Sequence, residues 1–179
     1  MACAVAADEV QVPMPTGFRE AMRRFAASVM IVTSRDTEGQ PHGMVASSVI
    51  PVSMDPPSML VAVNRDAGLH PVLLRSRRFC VNLLADHQRH LLAPFSQTAL
   101  RSERFRSEDW CNARSSDTEH LPWLPGAPAA IDCAVDLATD YGTHTLFVGR
   151  VLSVHCTTAV TSASTPLVWL AGQRAPLAT

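Results

Sequence analysis

The sequence predicts a mainly β fold with short α-helices, an antiparallel barrel carrying helices at its ends. Three observations lead there. Six or seven extended runs are spread along 179 residues, a length that suits one domain with room for a core. Strands one to three and five to seven follow one another with no helix between them, whereas a doubly wound parallel sheet needs crossover helices. Apolar residues make up 47% of the chain and charged residues 17%, a balance too greasy for disorder.

Residues 1–15 are expected as a frayed or disordered tail and 16–179 as one domain. With Thr16 as its cap, a helix is predicted from Phe18, Met22 and Phe25 at i, i+4 and i+7, with Arg19, Glu20, Arg23 and Arg24 on its other faces. Val29 to Ser34 (VMIVTS) reads as a buried strand, and the turn signal Glu38-Gly39 joins it as a hairpin to a second run, His42 to Val52. Pro51 in that run marks an edge, a bulge or a strand end. A rigid loop at Met54 to Pro57 leads to the strand Met59 to Asn64, then a turn, then a short helix over 69–76 with Pro71 in its first turn. Phe79 to Leu84 is a strand and Gln88 to Phe95 a short helix. Residues 98–128 form a long polar and Pro/Gly-rich surface excursion, after which Ala130 to Leu137 and Thr145 to His155 pair around a turn at 140–143. A last strand lies near Pro166 to Leu170.

Composition excludes several functions. All 15 basic residues are arginine, so Schiff-base chemistry and a P-loop lysine are ruled out. A net charge of -1 without a basic block argues against nucleic-acid binding. No apolar run reaches the roughly 18 residues of a membrane span, and the first dozen residues lack the marks of a signal peptide, so a cytoplasmic protein is expected. Five scattered cysteines without a CxxC pair suggest reduced thiols, and His87 and His90 lack companions for a metal site. Neither GxSxG nor GxGxxG is present.

Three places can carry chemistry. Ser47 and Ser48, behind Gly43, Val45 and Ala46, would let a flat ligand approach the backbone and bond ring carbonyls or a phosphate; they equally suit an ordinary strand facing solvent. Asn64 and Arg65, just past a strand end and followed by His70, could hold a phosphate or form a solvated turn. His144, in the turn Tyr141-Gly142-Thr143-His144, could donate to a carbonyl or guide a nicotinamide, or be an exposed turn histidine. Trp110 and Trp123 could cover a ligand or a partner surface, or pack the excursion to the body.

Taken in order, FREAMRRFAASVMIVTS, GMVASSVIPVSMDPP, VAVNR with His70, FCVNLL, YGTHTLFVGRV and PLVW resemble the short-chain flavin reductase family, from about Phe18 to Leu177. These are reductase components of two-component flavin-dependent monooxygenases. The resemblance implies an FMN-binding type of split β-barrel with Greek-key antiparallel strands, assembled as a homodimer. It also implies FMN or FAD as the flavin, NADH or NADPH as cosubstrate, hydride transfer to flavin N5 and release of reduced flavin to an oxygenase.

On this resemblance Val45, Ala46, Ser47 and Ser48 line the flavin, Asn64 and Arg65 lie near its phosphate or ribityl chain, Phe95 matches an aromatic of the site, and Gly142 and His144 belong to the nicotinamide motif. Val45 stands where the family has threonine, Thr143 where it has aspartate, and Trp169 with Gln173-Arg174 where an aromatic cover is usual. These departures leave room for a barrel that binds flavin or a partner without reducing anything, or that performs non-redox chemistry in the same pocket.

Overall fold

A computed structural model describes residues 13–107, 109–113, 120–157 and 164–177. Residues 1–12 of the expected tail, Cys3 among them, lie outside the described residues. Helix α1 (Thr16–Arg23) is followed by strands β1 (Ala27–Ser28), β2 (Met30–Arg35), β3 (Pro41–Ala46), β4 (Val49–Met54) and β5 (Pro57–Asn64). Then come α2 (His70–Ser76), β6 (Arg78–Leu83) and α3 (Leu92–Ser96). Two long strands, β7 (Ala129–Tyr141) and β8 (His144–Cys156), precede β9 (Val168–Leu170) and β10 (Gln173–Arg174).

Seven strands form one antiparallel sheet in the order β3-β2-β6-β7-β8-β5-β4, while β1, β9 and β10 make a second, small sheet. Sheet order is not chain order, since β6 sits between β2 and β7 and β5 ends beside β8, the non-sequential pairing of a Greek key. β3 and β4 are the two edges of the large sheet, yet only Ser47 and Ser48 separate them. The sheet therefore curls into a barrel with its seam between these strands. The expected single run from His42 to Val52 is corrected here: it breaks at this corner into two strands. Pro51 lies on edge strand β4 beside a register shift, where its missing N–H costs no ladder bond.

The barrel interior is filled by Val32, Val61, Val63, Leu73, Phe79 and Phe147, all at most 2% exposed. A second cluster lies outside the barrel wall and contains Ile31, Leu84, Phe95, Phe105, Trp110 and Leu124. Adjacent residues of a strand point to opposite faces, so Val32 serves the first cluster and Ile31 the second. That double burial extends along β2, whose Thr33, Ser34 and Arg35 are buried as well.

Three further expectations are revised. Pro15 occupies the cap position of α1 without a side-chain bond, and Thr16 is already helical. The helix expected from Gln88 to Phe95 is a 3-10 turn, Asp86–Leu91, followed by α3, because Pro94 is tolerated only within a first helical turn. Among its described residues the 98–128 segment, though exposed in part, is anchored to the barrel. Its Phe105, Trp110, Leu121 and Leu124 are buried, and polar groups of the barrel wall hold its backbone: Thr33 Oγ1 donates to Pro122 O at 2.6 Å and Arg35 Nε to His120 O at 3.0 Å. Trp110 packs against Phe95 and Phe105, while Trp123 stacks on His155.

Of the cysteines, Cys80, Cys111, Cys133 and Cys156 are free thiols, and burial pushes Cys133 up to about 12. Among the described residues no helix is long and apolar enough to cross a membrane.

Asn82 is fully buried between the wall and this cover, donating through Nδ2 to Ile31 O and accepting Leu124 N–H at Oδ1, at 3.1 and 2.9 Å. Asn82→Ala strands that buried N–H and is expected to cost about 1–3 kcal/mol, read as a lower urea midpoint at an unchanged slope.

Candidate functional site

A cleft of about 570 Å³ opens beside the β3–β4 corner. Val45, Ala46 and Ser47 form one side of it, and Ala93, Ser96 and Gln97 of the α3 region form another. Met22, Arg23 and Phe25 close it from the C-terminal end of α1, and Trp169, Ala171 and Gly172 from the β9–β10 hairpin. The volume and the mostly apolar walls with a few polar groups are those of a small-molecule site.

The walls are held by backbone bonds at three joints. Ala171 N–H donates to Arg23 O at 2.8 Å, which ties the end of α1 to the hairpin turn. Ala27 pairs with Trp169, which sets the hairpin beside the small strand that follows α1. Arg104 joins α3 to β3: its Nε donates to Pro94 O at 2.6 Å, Nη1 to Gly43 O at 3.0 Å and Nη2 to Phe95 O at 3.4 Å. Burial, with Arg101 nearby, draws the Arg104 guanidinium below its ordinary pKa.

The rim beyond the corner is built by the strand ladder. Ala62 N–H donates to Ser48 O at 3.0 Å, so Ser48 sits opposite Ala62, two residues short of Asn64, or roughly 7 Å along the strand. Asn64 in turn pairs with His144. Arg65 reaches across the turn that follows, its N–H donating to Thr143 O at 3.0 Å and its Nη2 to Gly142 O at 2.7 Å. Asn64 Oδ1 accepts Asp66 N–H, and Thr143 Oγ1 lies 2.9 Å from His144 Nδ1. Val45, Ala46 and Ser47 thus face the cleft, and Ser48, Asn64, Arg65, Gly142 and His144 belong to one neighbouring rim.

His70 and Phe95 stand behind these surfaces. His70 is 9% exposed, and its Nε2 lies 2.8 Å from Thr145 Oγ1, which donates onward to Asp140 Oδ1 at 2.5 Å. The hydroxyl proton is committed to the carboxylate, so His70 Nε2 carries the hydrogen in this chain. Phe95 is 3% exposed, with its ring against Phe105 and Trp110, and it supports the wall without lining it.

Arg23, Phe25 and Trp169 are cleft residues that the sequence reading did not place there. The stripe of Phe18, Met22 and Phe25 reads as a core-facing helix, yet α1 has no buried residue. The available signal was PLVW, whose Trp169 supplies an aromatic wall of the cleft.

Fold and cleft together define a split barrel with a mostly apolar cleft of a size that suits a small molecule. Residues 22–178 match the family whose description is flavin reductase like domain. The chain is 44% identical over 137 residues, 76% of its length and 74% of the relative's, to the reductase component of the FADH(2)-dependent resorcinol hydroxylase of Rhizobium sp. (strain MTP-10005). It is 36% identical over 138 residues, 77% of its length and 76% of the relative's, to the FMN reductase (NADH) RutF of Stutzerimonas stutzeri (strain A1501). Among solved structures it is similar to the NADH:FAD oxidoreductase SgcE6 of Streptomyces globisporus C-1027 in complex with NAD and FAD fragments, with TM-score 0.80, 27% identity, 95% of this chain and 97% of that one covered. The protein belongs to the flavin reductase family.

The cleft geometry depends on Gly43, where a Cβ would lie 2.7 Å from Phe95 Cε1 and 3.2 Å from Val32 O. Gly43→Ala forces α3 away from β3 and is expected to destabilise the fold by about 1–3 kcal/mol, measured by thermal and urea unfolding.

Proposed function

We propose that this protein oxidises NADH or NADPH, reduces FMN or FAD in the cleft, and releases the reduced flavin to a separate monooxygenase component. The observation that carries this reading is the mostly apolar cleft that Val45, Ala46 and Ser47 line at the β3–β4 corner, with Phe25 and Trp169 among its walls. The residues present fit a flavin: small Ala46 and Ala93 admit a flat ring, Trp169 and Phe25 offer aromatic faces, and Ser47 brings a hydroxyl. When bound, the flavin supplies the redox chemistry, accepting a hydride from the nicotinamide.

The chain's own task is positioning and exchange. Val45, Ala46 and Ser47 bed the ring, and Ser48 continues that surface toward the rim. His144 orients the nicotinamide, its own ring steadied by the Thr143 hydroxyl that stands where the family has aspartate. Asn64, Arg65 and Gly142 fix the turn that carries it. The hydrogen-bonded line from buried His70 through Thr145 to exposed Asp140 holds the same hairpin. No protein acid, base or nucleophile is required. The wall position of Trp169 and the Thr143 contact favour a working reductase over a barrel that has lost the activity. A cytoplasmic location suits a consumer of reduced nicotinamide, and the free thiols agree with a reducing compartment.

Assembly as a homodimer is part of the proposal. On the outer face of the barrel Ile50, Leu60, Val148 and Leu137 lie opposite one another in a single register row, and Ile50 and Leu137 are 56% and 54% exposed. Val52 and Met54 extend the apolar surface along edge strand β4.

NADH and NADPH oxidation should depend on added FMN or FAD, followed at the nicotinamide absorbance. Absence of turnover in every combination would refute the reductase reading. His144→Ala is expected to raise KM for the nicotinamide several-fold more than KM for flavin, and equal kinetics in variant and parent would remove His144 from the site. Ile50→Arg is expected to shift the protein from dimer to monomer by sedimentation or light scattering; a monomeric parent would end the dimer proposal.

A further inference from the structure

Among the described residues that line the cleft, Arg23 is the single charged side chain. Its guanidinium is held there by one bond, Nη2 to Ala171 O at 3.3 Å. None of the carboxylate ion pairs of the described residues involves it. Gly172 makes room for it. This residue has φ +82°, and a Cβ at this position would come within 2.8 Å of Arg23 Nη2. The turn conformation calls for glycine at position 172, and its bare Cα leaves the space that the end of the Arg23 side chain occupies.

Three other arginines are otherwise engaged. Arg104 spends its donors on three carbonyls, Arg174 grips both oxygens of Asp86, and Arg65 bonds Gly142 O with Asp140 3.8 Å away. Arg23 keeps most of its donor fork for a ligand. A guanidinium matches two phosphate oxygens at once, and the lining holds no second charged group to compete for an anion.

We infer that Arg23 binds a phosphate group of the nucleotide held in this cleft. The inference rests on the reductase reading and refines it by naming the group that fixes the polar end of the nucleotide. Two sources share this chemistry: the phosphate of the flavin nucleotide and the diphosphate of the nicotinamide dinucleotide.

The test compares the parent with Arg23→Gln and Arg23→Lys, using riboflavin, FMN and FAD as flavins and NADH or reduced nicotinamide mononucleotide as donors. Kinetics are paired with binding by flavin fluorescence quenching, and thermal unfolding verifies that each variant is folded. For a flavin phosphate, the preference for FMN over riboflavin falls roughly ten- to hundredfold in Arg23→Gln, the loss of a charge-assisted contact, and Arg23→Lys recovers part of it. For the dinucleotide diphosphate, that preference stays, and the preference for NADH over the mononucleotide falls instead. Both preferences within twofold of the parent, or a rise for riboflavin as large as for FMN with the donor preference intact, would overturn the assignment. A parent that reduces and binds no flavin would overturn the reductase reading itself, and Arg23 with it; a parent that binds flavin without turnover still tests Arg23 through the binding ratios.

Discussion

Two residues decide the architecture. Ser47 and Ser48 join strands that form opposite edges of a seven-stranded sheet, and a two-residue link spans only about 10 Å between its flanking Cα atoms. The remaining five strands must therefore curve until the first edge meets the last. Closure follows from this short tether, and the seam needs no hydrogen-bonded ladder between β3 and β4. The same tether places small residues where the barrel wall is thinnest. A cleft opens there because the strands diverge at the corner and the flanking helices cannot fill the gap.

Around this corner the protein uses buried polar groups to fasten segments that lack regular structure. Thr33, Asn82 and Arg35 all project from neighbouring strands onto the backbone of the 98–128 segment. Each meets a carbonyl or an N–H that a strand partner would otherwise have satisfied. The segment then presses Phe105 and Trp110 against Phe95, which holds α3 to β3. A wall of the cleft thus depends on contacts made by a stretch whose described residues do not line the cleft.

Much of this could be read from residue order, and the failures share a cause. Strand identities were visible because β-branched runs and turn residues are local signals, and the hairpin at Gly142-Thr143 declares itself in four residues. The break at Ser47-Ser48 was not visible, since a corner between two strands and one continuous strand have the same local composition. The 98–128 segment looked like a surface loop because its anchors lie on residues 33, 35 and 82, far away in sequence. The rim formed by Asn64, Arg65, Gly142 and His144 could be gathered by resemblance, but that His70 and Phe95 face inward is a matter of packing. Arg23 escaped notice as one of several arginines on a helix; what sets it apart is Gly172, roughly 150 positions later.

The cleft joins the first described helix to the last described hairpin, with Ala27 paired to Trp169. During synthesis the β2–β3 hairpin can form early, the barrel only after β8 emerges, and the pocket only after the hairpin beyond it. At about 5–20 residues per second, the nascent chain spends several seconds with the exposed apolar side chains of α1 waiting for the segment that will complete the site. A polypeptide that ends between β8 and residue 168 can curl its sheet and still have nowhere to hold a nucleotide, so ligand binding reports that translation has passed this point.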